Sequence, residues 1–217
     1  MYENLLKKLQ SRGATLIAVS KTQPVERILE LYQQGQRDFG ESRVQELLKK
    51  VLLLPSDIRW HLIGHLQTNK VRFIAPFIHM IHSVDSLRLL QEIEKRAAAA
   101  RRTVDCLLQF HIAEEETKYG LVEEEAHAIL QSTEYQAMRH VRICGVMGMA
   151  TLTDDKEKIR AEFRTLRHIF DRLRQTYFAN DAHFREISMG MSADWEIALE
   201  EGSTMVRIGT LLFGPRT

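Results

Sequence analysis

Two kinds of segment alternate along this chain. One is a short, continuous apolar run. The other carries apolar residues every three or four positions. Leu16-Ile17-Ala18-Val19-Ser20 is apolar without alternation, as in a strand covered on both faces. Further strands are read over 58–63, 77–82, 104–112, 141–147, 184–187 and 205–208, and the alternation leaves room for a very short strand over 37–40. Between them lie helical patterns. The first opens at Pro24, suited to a first helical turn, and stops at Gly35. The second carries Val44, Leu47, Leu48, Val51 and Leu54 and stops at Pro55. Further helices are predicted over 68–75, after a cap at Asp85 with Leu87, Leu90 and Ile93, and over 122–131. A long amphipathic helix carries Ile159, Phe163, Leu166, Phe170, Leu173 and Tyr177, and a last one runs over 192–201. Strict alternation of strand and helix implies parallel pairing with right-handed crossovers. Eight repeats in this length favour an α/β fold closed as a (β/α)8 TIM barrel over an open doubly wound sheet, in one domain spanning 1–217.

Composition narrows the class. The 217 residues hold 30 Lys+Arg and 29 Asp+Glu, a net charge of +1, so no field steers the chain towards nucleic acid or an anionic membrane. Two cysteines, Cys106 and Cys144, cannot build a disulfide scaffold and point to a reducing compartment. With no 18-residue apolar run and no signal-like N-terminus, the expectation is a cytoplasmic enzyme or small-molecule binder.

Barrel active sites lie where strands end, so polar residues that end apolar strands are the candidates. Lys21 ends the first strand. It reads either as a solvated lysine snorkelling at a strand end or as a partly desolvated amine suited to Schiff-base chemistry. Ser188-Met189-Gly190-Met191-Ser192 joins the seventh strand to a helix, and Arg207-Ile208-Gly209-Thr210 ends the eighth. Barrels often bind phosphate in these two loops, with small residues and backbone N–H groups. Gly209 allows close backbone approach, and Ser188 and Thr210 offer hydroxyls. Ser192 reads equally as an N-cap. Closure sets strand eight beside strand one, and hence an amine beside a phosphate cradle. A phosphorylated carbonyl compound such as pyridoxal phosphate suits that pairing.

The ordered motifs Ala18-Val19-Ser20-Lys21-Thr22, Phe39-Gly40-Glu41-Ser42-Arg43-Val44-Gln45-Glu46, His61-Leu62-Ile63-Gly64-His65-Leu66-Gln67-Thr68-Asn69-Lys70, His82-Ser83-Val84-Asp85-Ser86, Lys118-Tyr119-Gly120, Gly145-Val146-Met147-Gly148-Met149, Ser188 to Asp194 and Arg207 to Gly214 resemble the pyridoxal phosphate homeostasis protein family over nearly the whole chain. The resemblance implies a barrel like the N-terminal domain of alanine racemase. It implies pyridoxal 5′-phosphate held on Lys21 as an internal aldimine. Ser188, Gly209 and Thr210 match phosphate-binding positions, and Arg207 matches the arginine facing the pyridine nitrogen. Asn69 and Met147 fall in motifs near the cofactor. It further implies a carrier or buffer of vitamin B6 without robust turnover, with apo pyridoxal phosphate enzymes as partners. Ser42 departs from the family's asparagine after Phe-Gly-Glu, and His111 from its asparagine after the fifth strand.

Two features favour the carrier over a weak amino-acid racemase or lyase on the same scaffold. An arginine at the ring nitrogen disfavours its protonation and weakens the electron sink. Racemisation needs an acid or base on each face, and only Lys21 is evident. The chain ends soon after Phe213-Gly214, so the racemase dimer contacts are not expected, and a monomer is. A Schiff-base aldolase shares Lys21 but leaves Arg207 unexplained. No metal site is expected: His61 and His65 flank a strand end, and His79 and His82 point to opposite faces of an extended run. Cys106 and Cys144 read as small packing residues, and Glu114 to Glu116 as a solvated face.

Overall fold

The computed structural model describes residues 2–114 and 119–214. Eight strands pair in chain order: β1 (Thr15–Val19), β2 (Asp38–Glu41), β3 (Arg59–Leu62), β4 (Met80–Val84), β5 (Val104–Phe110), β6 (Val141–Gly148), β7 (Glu186–Ser188) and β8 (Met205–Ile208). Every pair is parallel, and β8 closes on β1 with Ile17 opposite Arg207 and Ala18 opposite Ile208. This is the expected α/β barrel. Closure sets the end of β8 beside the end of β1, where the sequence placed its candidate chemistry.

The helices are α1 (Tyr2–Gln10), α2 (Val25–Gln33), α3 (Val44–Val51), α4 (Val71–Ile74), α5 (Leu87–Ala99), α6 (Glu123–Gln131), α7 (Thr133–Gln136), α8 (Lys156–Tyr177), α9 (Trp195–Glu200) and α10 (Thr210–Phe213). They cover the outer, apolar face of the strands. The longest, α8, is capped by Asp155, whose carboxylate accepts from the N–H groups of Glu157 and Lys158. Its apolar stripe Ile159, Phe163, Leu166, Ile169, Phe170 and Leu173 is buried.

Inside the barrel, Ile17, Met80, Leu107, Cys144, Met147 and Met205 form a separate apolar cluster. Cys144 and Met147 are three apart yet share it, because the β5–β6 register shifts at Cys106/Leu107. Gly145 makes the shift possible. It sits at φ +152, and a Cβ there would meet the Glu186 carbonyl oxygen at 1.8 Å. Burial pushes the Cys144 thiol up to about 12, and Cys106 is raised as well, as for inert packing thiols.

Some local expectations differ. α1 lies where the pattern assigned nothing, with Tyr2, Leu5 and Leu9 buried at helical spacing. The fourth strand begins at Met80, not at 77, because Phe77 and Ile78 still donate to the Ile74 carbonyl at the end of α4. Asp85 does not cap α5; Ser86 does, accepting from Leu89 N–H, while Asp85 faces His65 at 3.4 Å. Ser192 does not cap α9, whose N-cap position is Asp194. Glu115, Glu116 and Lys118 lie outside the described residues; Tyr119 stacks on His65 with ring centroids 4.4 Å apart. Among the described residues no helix is long and apolar enough to cross a membrane.

Candidate functional site

A cavity of about 360 Å³ opens where the strands end, and Lys21, Arg207, Gly209 and Thr210 line it together with Ser42, Met149 and Ser192. Half-buried Lys21 lies two residues beyond β1. The turn that carries it is braced on both sides. Ser20 N–H donates to the Gly40 carbonyl at 3.0 Å and Gln23 N–H to the Ser20 carbonyl at 3.0 Å. Thr22 adopts left-handed φ +65, a costly conformation for a β-branched residue, and its N–H donates to Glu46.

Beneath the turn lies a buried ionic cluster. Lys50 Nζ donates to Glu41 Oε1 at 2.7 Å, to Glu46 Oε1 at 2.6 Å and to the Ser20 carbonyl at 2.7 Å. Ser20 Oγ donates to the same Glu41 oxygen at 2.6 Å. Burial raises the Glu41 carboxyl, while the hydrogen bonds from Lys50 and Ser20 oppose the rise. The ion pair holds β2, α3 and the Lys21 turn as one unit.

The opposite wall is built for an anion. The N–H groups of Gly209 and Leu211 converge on Ser192 Oγ, at 3.3 and 3.5 Å. A Cβ on Gly209 would lie 3.2 Å from the Val19 carbonyl oxygen, so glycine lets the end of β8 pack closely against β1. Gly209 with its backbone N–H, and the hydroxyl residues Ser192 and Thr210, thus line a cavity that also holds an amine and a guanidinium, while Leu211 N–H steadies the Ser192 hydroxyl. That donor set fits a phosphate monoester carrying an aldehyde.

Arg207 is 3% exposed. Its Nη1 donates to Ser188 Oγ at 2.7 Å and its Nη2 to the Gly148 carbonyl at 3.0 Å. Burial pushes the guanidinium down to about 10, opposed by the charge of Asp194. From Ser188 a row of side chains continues through the barrel. Ser188 Oγ lies 2.9 Å from His82 Nδ1, His82 Nε2 lies 2.9 Å from His61 Nδ1, and His61 Nε2 lies 3.0 Å from Asp38 Oδ1. Burial, then the neighbouring His61, Arg207 and His79, lowers His82 well below the usual imidazole range. Burial works against the Asp38 carboxylate, yet hydrogen bonds from Arg59 and His61 hold it well below the usual carboxylate range.

Four of the seven residues singled out in the sequence therefore meet in the cavity: Lys21, Arg207, Gly209 and Thr210. The other three lie elsewhere. Ser188 points into the barrel and supports Arg207 from beneath, and Ser192 supplies the hydroxyl beside the Gly209 backbone. Met147 belongs to the barrel-interior apolar cluster. Asn69 lines a separate polar groove with His65, Thr68, Asp85 and Arg88. Sequence reasoning missed the interior row. Its one legible signal is polar residues at inward, alternate positions of strands, such as Asp38 with Gly40 and His82 with Met80.

The ligand atoms of Asp38, His61 and His79 lie within 4.8 Å of one another, a grouping that pairing histidines by sequence spacing did not find. Arg59 occupies both Asp38 oxygens, and both His61 nitrogens are engaged in the row. A cation there would have to displace a guanidinium, so the set reads as a hydrogen-bonded network.

Comparison with known proteins agrees with this geometry. Residues 2–217 match the alanine racemase N-terminal domain family. The chain is 42% identical over 204 residues to a pyridoxal phosphate homeostasis protein of Aquifex aeolicus, covering 94% of this chain and 87% of that protein. Among solved structures it is similar to PipY of Synechococcus elongatus determined without pyridoxal phosphate, with TM-score 0.88, 37% identity and coverage of 96% and 98%. It is also similar to the same protein with pyridoxal phosphate bound, with TM-score 0.84, 36% identity and coverage of 96% and 98%. An alanine racemase of Clostridium difficile shares the fold, with TM-score 0.77 at 16% identity, over 97% of this chain and 59% of that one.

Proposed function

Because the chain belongs to the pyridoxal phosphate homeostasis protein family, we propose that it binds pyridoxal 5′-phosphate in the strand-end cavity and acts as a carrier or buffer of that cofactor, as a single domain over 1–217. The observation that carries this reading is that Lys21, Arg207, Gly209 and Thr210 line one cavity. The bound cofactor supplies an aldehyde carbon that captures amines and a ring that draws electrons from them. Lys21 Nζ is the group placed to attack that carbon. Lys21 would thus hold the cofactor covalently, through a C=N bond formed with loss of water. The Gly209 N–H group, with the hydroxyls of Ser192 and Thr210, holds the phosphate end.

Arg207 would face the ring nitrogen, as the family resemblance implies. A buried cation there opposes protonation of that nitrogen, so the ring withdraws electrons weakly. Among the described residues that line the cavity, the titratable ones are Lys21 and Arg207. A racemase needs a proton donor or acceptor on each face of its substrate. Both observations favour a carrier, with apo enzymes that use the cofactor as its recipients.

Absorbance titration with pyridoxal phosphate, wild type beside Lys21→Ala, tests the binding. A yellow band in the wild type that the substitution removes supports Lys21 as the attachment point. Sustained loss of optical rotation with L- or D-amino acids would overturn the carrier assignment in favour of a racemase.

A further inference from the structure

The row from Asp38 to Arg207 crosses the barrel from one mouth to the other. His61, His82, Ser188 and Arg207 are each no more than 3% exposed, so water does not supply their hydrogen bonds. With both imidazoles neutral, the identity of the two ends fixes every proton between them. Arg207 has only donors, so Ser188 Oγ accepts from it. An ionised Asp38 has only acceptors, so His61 donates through Nε2. With neutral imidazoles, His61 Nδ1 must then accept from His82 Nε2–H, and His82 Nδ1 from the Ser188 hydroxyl. Each bond receives one proton. The order runs one way, from guanidinium to carboxylate.

We propose that Asp38, His61, His82 and Ser188 form a proton-ordered relay of positioning residues, which fixes the orientation of Arg207 and so selects a ligand whose ring nitrogen accepts, rather than donates, a hydrogen bond. This rests on the assignment of the cavity to pyridoxal phosphate. Because Ser188 donates onward to His82, its oxygen is a stronger acceptor for Arg207, as successive hydrogen bonds polarise one another. Gly148 holds the second arm of the guanidinium. The N–H groups not used by Ser188 and Gly148 remain for the ligand, and a ring nitrogen must meet them with its lone pair.

Asp38→Asn is the informative change, because it lies at the far end from the cavity. An amide can present N–H to His61 Nε2 and reverse the order. Both imidazoles would then carry their proton on Nδ1, and Ser188 would accept from both His82 and Arg207. Nitrogen-15 spectra of the imidazoles read this without any cofactor. The expected wild-type result is Nε2–H on both His61 and His82, with a shift towards Nδ1–H on both in Asp38→Asn. The same spectra with pyridoxal phosphate labelled at its ring nitrogen read the ligand. That nitrogen should be unprotonated in the wild type and more protonated in Asp38→Asn. Cofactor affinity should fall about tenfold in Ser188→Ala, which strips Arg207 of a buried acceptor.

A pure loss of negative charge at Asp38 would push the ring nitrogen the other way, towards less protonation. That result would overturn the relay. So would wild-type imidazoles in the opposite tautomers, or variants that lose thermal stability but leave the ring nitrogen unchanged. If Asp38→Asn does not fold, Ser188→Ala decides through the same ring-nitrogen shift. A wild type with the stated tautomers that takes up no pyridoxal phosphate overturns the cavity assignment instead. Failure of the relay is distinct, because the wild type then binds and the variants match it.

Discussion

Lys50 Nζ and Glu41 Oε1 lie 2.7 Å apart beneath the turn that carries Lys21, with side chains 7% and 0% exposed. The contact joins α3 to the end of β2, and through the Ser20 carbonyl to the end of β1. The candidate amine therefore stands on a rigid platform built from charges that water does not reach. Breaking one side of such a pair leaves the other buried and uncompensated. Lys50→Met is expected to cost about 3–5 kcal/mol. The double variant Lys50→Met with Glu41→Leu should recover most of it, because neither charge is then stranded. Urea unfolding of the three proteins measures both.

The interior row makes stability depend on pH. Burial lowers His82 well below the ordinary imidazole value of 6.5. The unfolded chain thus binds a proton at His82 where the folded protein does not. Its stabilising contribution is full above about 6.5 and is lost as pH falls below it, by about 1.4 kcal/mol per pH unit. His79 is lowered for the same reason and adds in the same direction. Asp38, held low, adds its own loss only below the ordinary aspartate value of 3.8. Denaturant midpoints between pH 7 and pH 5 should fall in the wild type and fall less steeply in His82→Gln.

The two informative glycines should behave differently. Gly145→Ala places a methyl group 1.8 Å from the Glu186 carbonyl, which would force β6 from β7. It should lower stability by more than about 4 kcal/mol or prevent folding, among the severest effects of single substitutions. Gly209→Ala meets its nearest atom, the Val19 carbonyl, at 3.2 Å, so the fold should survive. The added methyl crowds the anion wall, and inorganic phosphate should then compete about tenfold less well for the cavity, in line with one weakened charge-assisted hydrogen bond. Thermal melts and phosphate competition against pyridoxal phosphate separate the two.

Ser192→Ala removes the hydroxyl on which the Gly209 and Leu211 N–H groups converge. A hydrogen bond to a charged group contributes about 1.5–3 kcal/mol. Cofactor affinity should drop at least tenfold, while Asn69→Ala, in its separate groove, should leave it unchanged. Equilibrium dialysis compares them.

The barrel was legible because parallel strands buried on both faces tend to read as apolar runs, as Leu16 to Val19 of β1 does, and because strand and helix patterns alternate along the chain; β2 (Asp38–Glu41) and β3 (Arg59–Leu62) carry charged or polar residues and were legible mainly from that alternation. Gly35 marks the end of α2 as expected, at φ +97 just past Gln34. Lys21, Arg207, Gly209 and Thr210 were legible because each ends a strand that closure brings together. Ser188 was harder. Its place in a strand-to-helix loop suggests a phosphate donor, and only the inward pleat shows that it faces Arg207 and His82. The row itself could not be read. Ser188 and His82 are 106 positions apart on β7 and β4, and their contact exists only across the closed barrel. α1 is marked only by Tyr2, Leu5 and Leu9 at helical spacing, a short stripe that precedes the first strand and so stands outside the strand-helix repeat.

The most direct measurement is to load the protein with pyridoxal phosphate, reduce it with borohydride, and map the modified peptide by mass spectrometry. Reduction fixes the C=N bond as a secondary amine, so the cofactor stays on the lysine that held it. The expected result is one modified peptide, the one containing Lys21, and none after Lys21→Ala. Modification of another lysine, or no modification of protein that has turned yellow, would contradict Lys21 as the residue that holds the cofactor.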